Sequence, residues 1–176
     1  AGMWIPCSGS PSLPWCAQVL ADIGDEQSLQ QSLSTFSGHV KRIGNILESL
    51  ASGPSPALVL LDEVGAGTDP SEGTALAIAL LRDLADRARL TIATTHFGEL
   101  KALKYNDSRF ENASVAFDSD TLSPTYELLW GIPGRSNALA IATRLGFDAG
   151  VIEQARQLLE PSGDGDVNAV IRGLEE

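Results

Sequence analysis

Residues 57–63 read ALVLLDE: five apolar residues in a row, then two acids, and directly afterwards the glycine-rich turn VGAGTDPSEG. An unbroken apolar run that stops at charge and glycine fits a central parallel strand covered on both faces. A second run, LTIATTH over 90–96, repeats the pattern and predicts a second buried strand. Between them, 70–87 has helix length and is almost wholly apolar in its first half, so a buried helix is expected there. Strand, helix and strand in this order point to an α/β fold.

The flanking segments extend that pattern. MWIPC (3–7) is a short apolar run stopped by Pro6, and SGSPSLP (8–14) is a loop by composition. WCAQVLADIG (15–24) reads as a strand ending at Gly24. Phe36, Val40, Ile43, Ile46, Leu47 and Leu50 recur at helical spacing, which predicts an amphipathic helix over 35–51, broken by SGPSP (52–56). A short helix is expected over 97–104, two strands around a polar turn over 110–131, and helices from Ser136 to Leu145 and from Asp148 to Leu159. EPSGDGD (160–166) has linker composition, and Val167, Val170, Ile171 and Leu174 then resume helical spacing, as in the start of a longer helix or a fraying C-terminal one.

The chain of 176 residues can bury one sizeable core. Its formal net charge of −11 argues against these residues alone gripping nucleic acid, because that affinity rests on Lys and Arg at phosphates. Cys7 and Cys16 match no metal-ligand spacing and no disulfide framework, which suits a reducing cytosol. No apolar run reaches membrane-spanning length. The first residue, Ala1, fits a processed or internally started chain, and cloning gives the same start.

Asp62 and Glu63 fall at the C-terminal end of a parallel strand, where open α/β sheets bind their ligands. A hard carboxylate there suits Mg²⁺ carrying phosphates. The next carboxylate points elsewhere and can orient a water for attack. Asp62 is therefore the candidate metal ligand and Glu63 the candidate base; the same two acids also fit a buried strand emerging into solvent. Thr94, Thr95 and His96 end the neighbouring strand, where a histidine can reach a γ-phosphate or a water. They equally fit an ordinary polar strand end. Ser34 or Thr35 caps the helix over 35–51, leaving backbone N–H groups that suit an anion. In GAGTDPSEG, Asp69 is expected as an N-cap, Pro70 as the first helical residue and Glu72 as its capping-box partner. Gly65 and Gly67 permit positive φ in the turn.

A nucleotide-hydrolysing strand of this kind normally works with a G-x-x-x-x-G-K-[ST] loop. The chain has three lysines, Lys41, Lys101 and Lys104, and none follows a glycine. The remaining motifs nevertheless have a specific resemblance. STFSGH, LVLLDEVGAGTDPSEG and ATTHFGELK, in this order and spacing, resemble the ATPase domain of the MutS family, within the ABC-like P-loop NTPases. GAGTDP resembles the second bacterial MutS paralogue, linked to suppressing recombination and to rescue of collided ribosomes, rather than the mismatch-repair branch.

The resemblance implies a mainly parallel-sheet α/β fold, incomplete at its N-terminal side and followed by C-terminal helices. It implies a partial ATPase domain over 1–131, a helical dimerisation segment over 132–160, and a linker with the start of a helical region over 161–176. The implied ligands are ATP and Mg²⁺. By resemblance, Ser34 reaches the partner's γ-phosphate in a homodimer. Asp62 and Glu63 form the Walker B pair, and Gly67, Thr68 and Asp69 cross the dimer interface. His96 is the switch histidine, and Tyr126 lies near the adenine ring, although a half-buried strand tyrosine is the plainer reading. The phosphate loop is expected upstream of Ala1. Contacts to DNA or ribosome, and any nuclease activity, are expected outside these residues, in a cytoplasmic protein with no membrane role. A module for dimerisation without catalysis is the alternative for the chain as it stands. A magnesium-dependent nuclease or phosphatase built on Asp62, Glu63 and His96 is a third reading, which the motif order disfavours.

Overall fold

A computed structural model describes residues 9–24, 35–51, 53, 55–118, 123–134 and 136–159. It divides into two compact units, Ala1–Leu100 and Lys101–Glu176. The expected run at 3–7, the linker at 160–166 and the helical spacing beyond it lie outside the described residues.

The first unit is built on a three-stranded parallel sheet in the order β1-β2-β3, with β1 Gln18–Asp22, β2 Ser55–Leu61 and β3 Ala88–Ala93. Two helices connect the strands: α1 Thr35–Ser49 lies against β1, and α2 Pro70–Arg87 against β3. Ala57, Val59 and Leu61 alternate along β2 as buried residues, and Leu20 and Asp22 share their face of the sheet. Ile46 of α1, Leu50 just beyond it, and Ala77, Leu80, Leu81 and Leu84 of α2 are buried with them. Truncating the fully buried Leu84 to alanine would cost about 2–5 kcal/mol, the transfer term plus the cavity left behind.

Two expectations need correction. The run 90–96 does not form a buried strand: β3 ends at Ala93, and Leu90 and Ile92 are 43% and 52% exposed. The register aligns Leu58 with Val19 and Leu90, and Leu60 with Ala21 and Ile92, so these residues share the second face of the sheet. Both helices lie over the other face. The physical reason for the error is that an apolar run reports the capacity to be covered, and α1 and α2 leave this side to solvent. α2 likewise buries only a stripe, and Leu76 is half exposed.

In the second unit, β4 Ala113–Asp118 and β5 Ser123–Trp130 form an antiparallel pair with a register shift between Val115 and Phe117. The short helix α4 Leu103–Asn106 precedes it, after α3 Gly98–Lys101, which falls at the division between the units; α5 Ala138–Arg144 and α6 Ala149–Leu159 follow it, packed on each other. Lys104 ties the segment together: its Nζ donates to the Gly131 carbonyl at 3.0 Å and pairs with Glu111 at 2.6 Å. That hydrogen bond, with a smaller contribution from the Asn112 amide, holds the Glu111 carboxyl below its ordinary value. Leu145, Phe147, Leu158 and Leu159 are exposed. Among the described residues no helix is long and apolar enough to cross a membrane.

Candidate functional site

Parallel pairing of β2 with β3 brings the two chemistry-bearing strand ends together at one edge of the sheet. The ladder runs on past the strands: the Asp62 amide donates to the Asp22 carbonyl at 2.8 Å, and the Thr94 amide to the Leu61 carbonyl at 2.9 Å. The Thr94 side chain then links both acids. Its Oγ1 donates to Asp62 Oδ1 at 2.5 Å and accepts the Glu63 amide hydrogen at 2.9 Å. One carboxylate oxygen of Asp62 is thereby fixed, while Glu63 is exposed.

Glu63 has φ 50, a left-handed conformation that side chains other than glycine adopt at a cost of about 1–3 kcal/mol. Its amide bond to Thr94 and the Ala66 amide bonded to its carbonyl at 3.0 Å hold it there. The conformation turns the chain sharply, so the carboxylate leaves the strand in a direction of its own. The turn continues through Gly65 at φ 87 and Gly67 at φ 86, both at the positive φ that the sequence suggests. A Cβ on Gly65 would stand 2.7 Å from the Gly73 carbonyl oxygen, so the turn sits directly on the first turn of α2. Asp69 caps that helix, its Oδ1 accepting from the Ser71 and Glu72 amides at 3.0 and 3.1 Å. The capping box is half made: the Glu72 amide is bound, but no hydrogen bond returns from its carboxylate to Asp69.

His96 follows the end of β3 and is exposed, its ring 4.8 Å from that of Phe97. The chain's other histidine is His39 of α1. It lines a cleft of about 210 Å³ together with Gly24, Asp62 and Glu63. Its Nδ1 meets Asp22 Oδ2 at 2.7 Å, and Arg42 Nε donates to Asp22 Oδ1 at 2.5 Å. Asp22 is 2% exposed, and these bonds satisfy a carboxylate that burial would otherwise penalise.

The MutS domain V family matches residues 1–161. The chain belongs to the MutS family. A protein named endonuclease MutS2 from Synechocystis sp. is 62% identical over 189 residues, covering 99% of this chain and 23% of the relative. The proteins of that name from Symbiobacterium thermophilum and Enterococcus faecalis are 54% and 50% identical, each covering 99% of the chain. These similarities place the chain on the MutS2 branch. It spans about a fifth of the length of these relatives.

Within this MutS domain, Asp62, Glu63 and the turn bearing Gly67, Thr68 and Asp69 lie in continuous chain at the sheet edge, and His96 follows the neighbouring strand end. Ser34 lies outside the described residues. Thr35 begins α1. Tyr126 belongs to the second unit and is not half-buried: it is 87% exposed, with φ 62 beside the register shift of β5. The whole of β5 is exposed apart from the partly covered Leu129, so no face of this strand buries its side chains. Among the described residues no group of three or more His, Cys, Asp or Glu side chains is gathered to hold a metal ion by itself. Mg²⁺ bound through phosphates asks for less, one or two carboxylates with water completing the shell, and Asp62 offers that. Sequence reasoning passed over Asp22 and His39, which are 17 residues apart. The available signal was an acid closing an apolar strand and a His-Arg pair three residues apart on one helix face.

Proposed function

We propose that this chain is part of a MutS-type ATPase domain whose ATP binding and hydrolysis drive a homodimeric clamp in the cytoplasm. The observation that carries the reading is the Thr94 bridge, which fixes Asp62 and the backbone of Glu63 against each other at the C-terminal edge of the sheet. Asp62 is the residue to hold Mg²⁺ through its free carboxylate oxygen. When bound, that ion offsets the charge of the triphosphate and of the two acids. Glu63 takes the proton of the attacking water, and His96 contacts the γ-phosphate. Ser34 and Thr35 serve the partner's nucleotide, with Gly67, Thr68 and Asp69 at the interface. Tyr126 lies against the adenine. The clamp closes on branched or mismatched DNA, or on a collided ribosome, through segments other than this acidic one.

The test uses the gene product that carries this chain. Glu63→Gln is expected to bind Mg-ATP nearly as well as the unmodified protein and to hydrolyse it roughly 10²-fold more slowly, the contribution of a positioned base. Unchanged turnover in Glu63→Gln would sink the reading.

A second reading applies to the isolated 176-residue chain: a dimerisation module without ATPase activity. Exposed Leu145, Phe147, Leu158 and Leu159 around α5 and α6 favour it, since such apolar clusters mark association surfaces. The 176 residues contain no G-x-x-x-x-G-K-[ST] segment, whose backbone N–H groups and lysine supply most phosphate affinity in such sites. Calorimetry of the isolated chain with Mg-ATP is expected to show weak binding. A low-micromolar dissociation constant, with turnover lost in Glu63→Gln, would refute it.

A further inference from the structure

The strongest unused feature in the molecule is the pair of the buried Asp22 and the partly buried His39. A carboxylate only accepts hydrogen bonds, so the 2.7 Å contact requires the hydrogen on His39 Nδ1. Arg42 Nη2, 3.3 Å from the same Nδ1, is also a donor, so that approach is not a hydrogen bond. An imidazole with its single hydrogen on Nδ1 carries its lone pair on Nε2. That nitrogen has no protein partner among the described residues, and it is not sealed in: the buried side-chain polar atom left without a partner is Thr91 Oγ1. His39 lines the cleft shared with Gly24, Asp62 and Glu63, and Nε2 is the ring nitrogen left to accept a hydrogen bond. The position is rigid. α1 carries the ring on a helix of 15 residues, Asp22 anchors it, and the Asp22 carbonyl receives the Asp62 amide.

We propose that His39 is a catalytic residue that orients the attacking water, working opposite Glu63 and held in register by Asp22. The inference rests on the ATP-hydrolysis reading above. A water in the cleft donates one hydrogen to the Glu63 carboxylate and the other to His39 Nε2. Its lone pairs then point away from both. The cleft, at about 210 Å³, has room for several waters at roughly 30 Å³ each. In the reaction the water oxygen forms a bond to the γ-phosphorus, and the bond from phosphorus to the β–γ bridging oxygen breaks. That electron pair leaves with ADP, and the proton passes to Glu63. His39 keeps the second hydrogen of the water in its hydrogen bond throughout. A pair that only fastened α1 to the sheet would need Nδ1 alone.

His39→Asn separates the two roles in the gene product. Its side-chain amide nitrogen stands near the position of Nδ1 and can still donate to Asp22, but nothing replaces Nε2. The expected result is a kcat lower by roughly 10- to 100-fold, the cost of a misplaced reactant, with KM for ATP and thermal stability unmoved. A readout independent of turnover uses ¹⁵N-histidine NMR of the unmodified protein, with the Nε2 signal assigned by its loss in His39→Gln. That signal is expected to shift when Mg²⁺ and a non-hydrolysable ATP analogue are added. Wild-type turnover in a folded His39→Asn, or an Nε2 signal that stays in place, overturns the proposal. Slow Glu63→Gln beside fast His39→Asn overturns it alone; an unmodified protein without ATP turnover overturns the reading beneath it as well.

Discussion

The hydroxyl of Thr94 donates to the carboxylate of Asp62 at 2.5 Å, and the same oxygen receives the amide of the next residue along, Glu63. One side chain on β3's extension thus sets the positions of two acids on β2's. Thr94→Val keeps the shape and removes both bonds. Because the bonds are solvent-exposed, the expected stability loss is only about 1 kcal/mol, seen as a lower urea midpoint at unchanged slope. ATP turnover of the gene product is expected to fall with it, and Thr94→Ser to restore both. Equal urea midpoints and rates for Thr94→Val and the unmodified protein would remove the bridge from the account.

Gly65 is constrained twice, by its φ of 87 and by the Gly73 carbonyl 2.7 Å from where a Cβ would stand. Gly53 has φ 106 and open space around it. Gly53→Ala is therefore expected to cost only the backbone term, about 1 kcal/mol, and Gly65→Ala clearly more, upwards of ~2 kcal/mol. Equilibrium denaturation of the two variants side by side makes the comparison. Equal losses would mean that the turn yields and that the close approach to α2 carries no weight.

Asp69 has a structural duty as N-cap of α2 and a proposed one at the dimer interface. Removing the cap in Asp69→Ala is expected to cost about 1 kcal/mol. Asp69→Asn keeps an oxygen for the Ser71 and Glu72 amides while losing the charge. Stability near wild type with reduced ATP turnover in Asp69→Asn would show a function beyond the cap; unaltered turnover would leave the cap alone.

Glu111 predicts a pH dependence in the second unit. Its hydrogen bond from Lys104 lowers the folded-state pKa below the ordinary 4.5. The stabilisation is therefore fully present above pH 4.5 and is lost as the pH falls through the lowered value. Lys104→Met should weaken that acid sensitivity, measured as denaturation midpoint against pH between about 3 and 6, the range that spans ordinary carboxylate titration. An identical pH profile in the variant would show that the pair does not contribute.

The sequence made the strand–helix–strand frame legible because each element carried its own signal. ALVLL gave β2, the Asp69-Pro70 start gave α2 its first residue, and Gly65 and Gly67 marked where φ turns positive. Leu90 and Ile92 misled because their exposure depends on what lies over the sheet, which no local pattern records. Asp22 and His39 stayed hidden for a related reason. Their pairing needs β1 and α1 to be packed first, and the intervening residues form no motif that announces it. Tyr126 was misread for the same reason as Leu90 and Ile92: its exposure depends on what covers β5, and nearly the whole strand is exposed.

The left-handed backbone at Glu63 has a consequence for evolution in the laboratory. Glycine or asparagine would sit at φ 50 with less strain, so replacing Glu63 is expected to make the domain more stable. A library screened only for heat resistance or expression yield would therefore drift away from this acid. Its persistence through such a screen would have to be enforced by a simultaneous demand for nucleotide turnover, making position 63 a built-in reporter of whether the selection was for folding or for work.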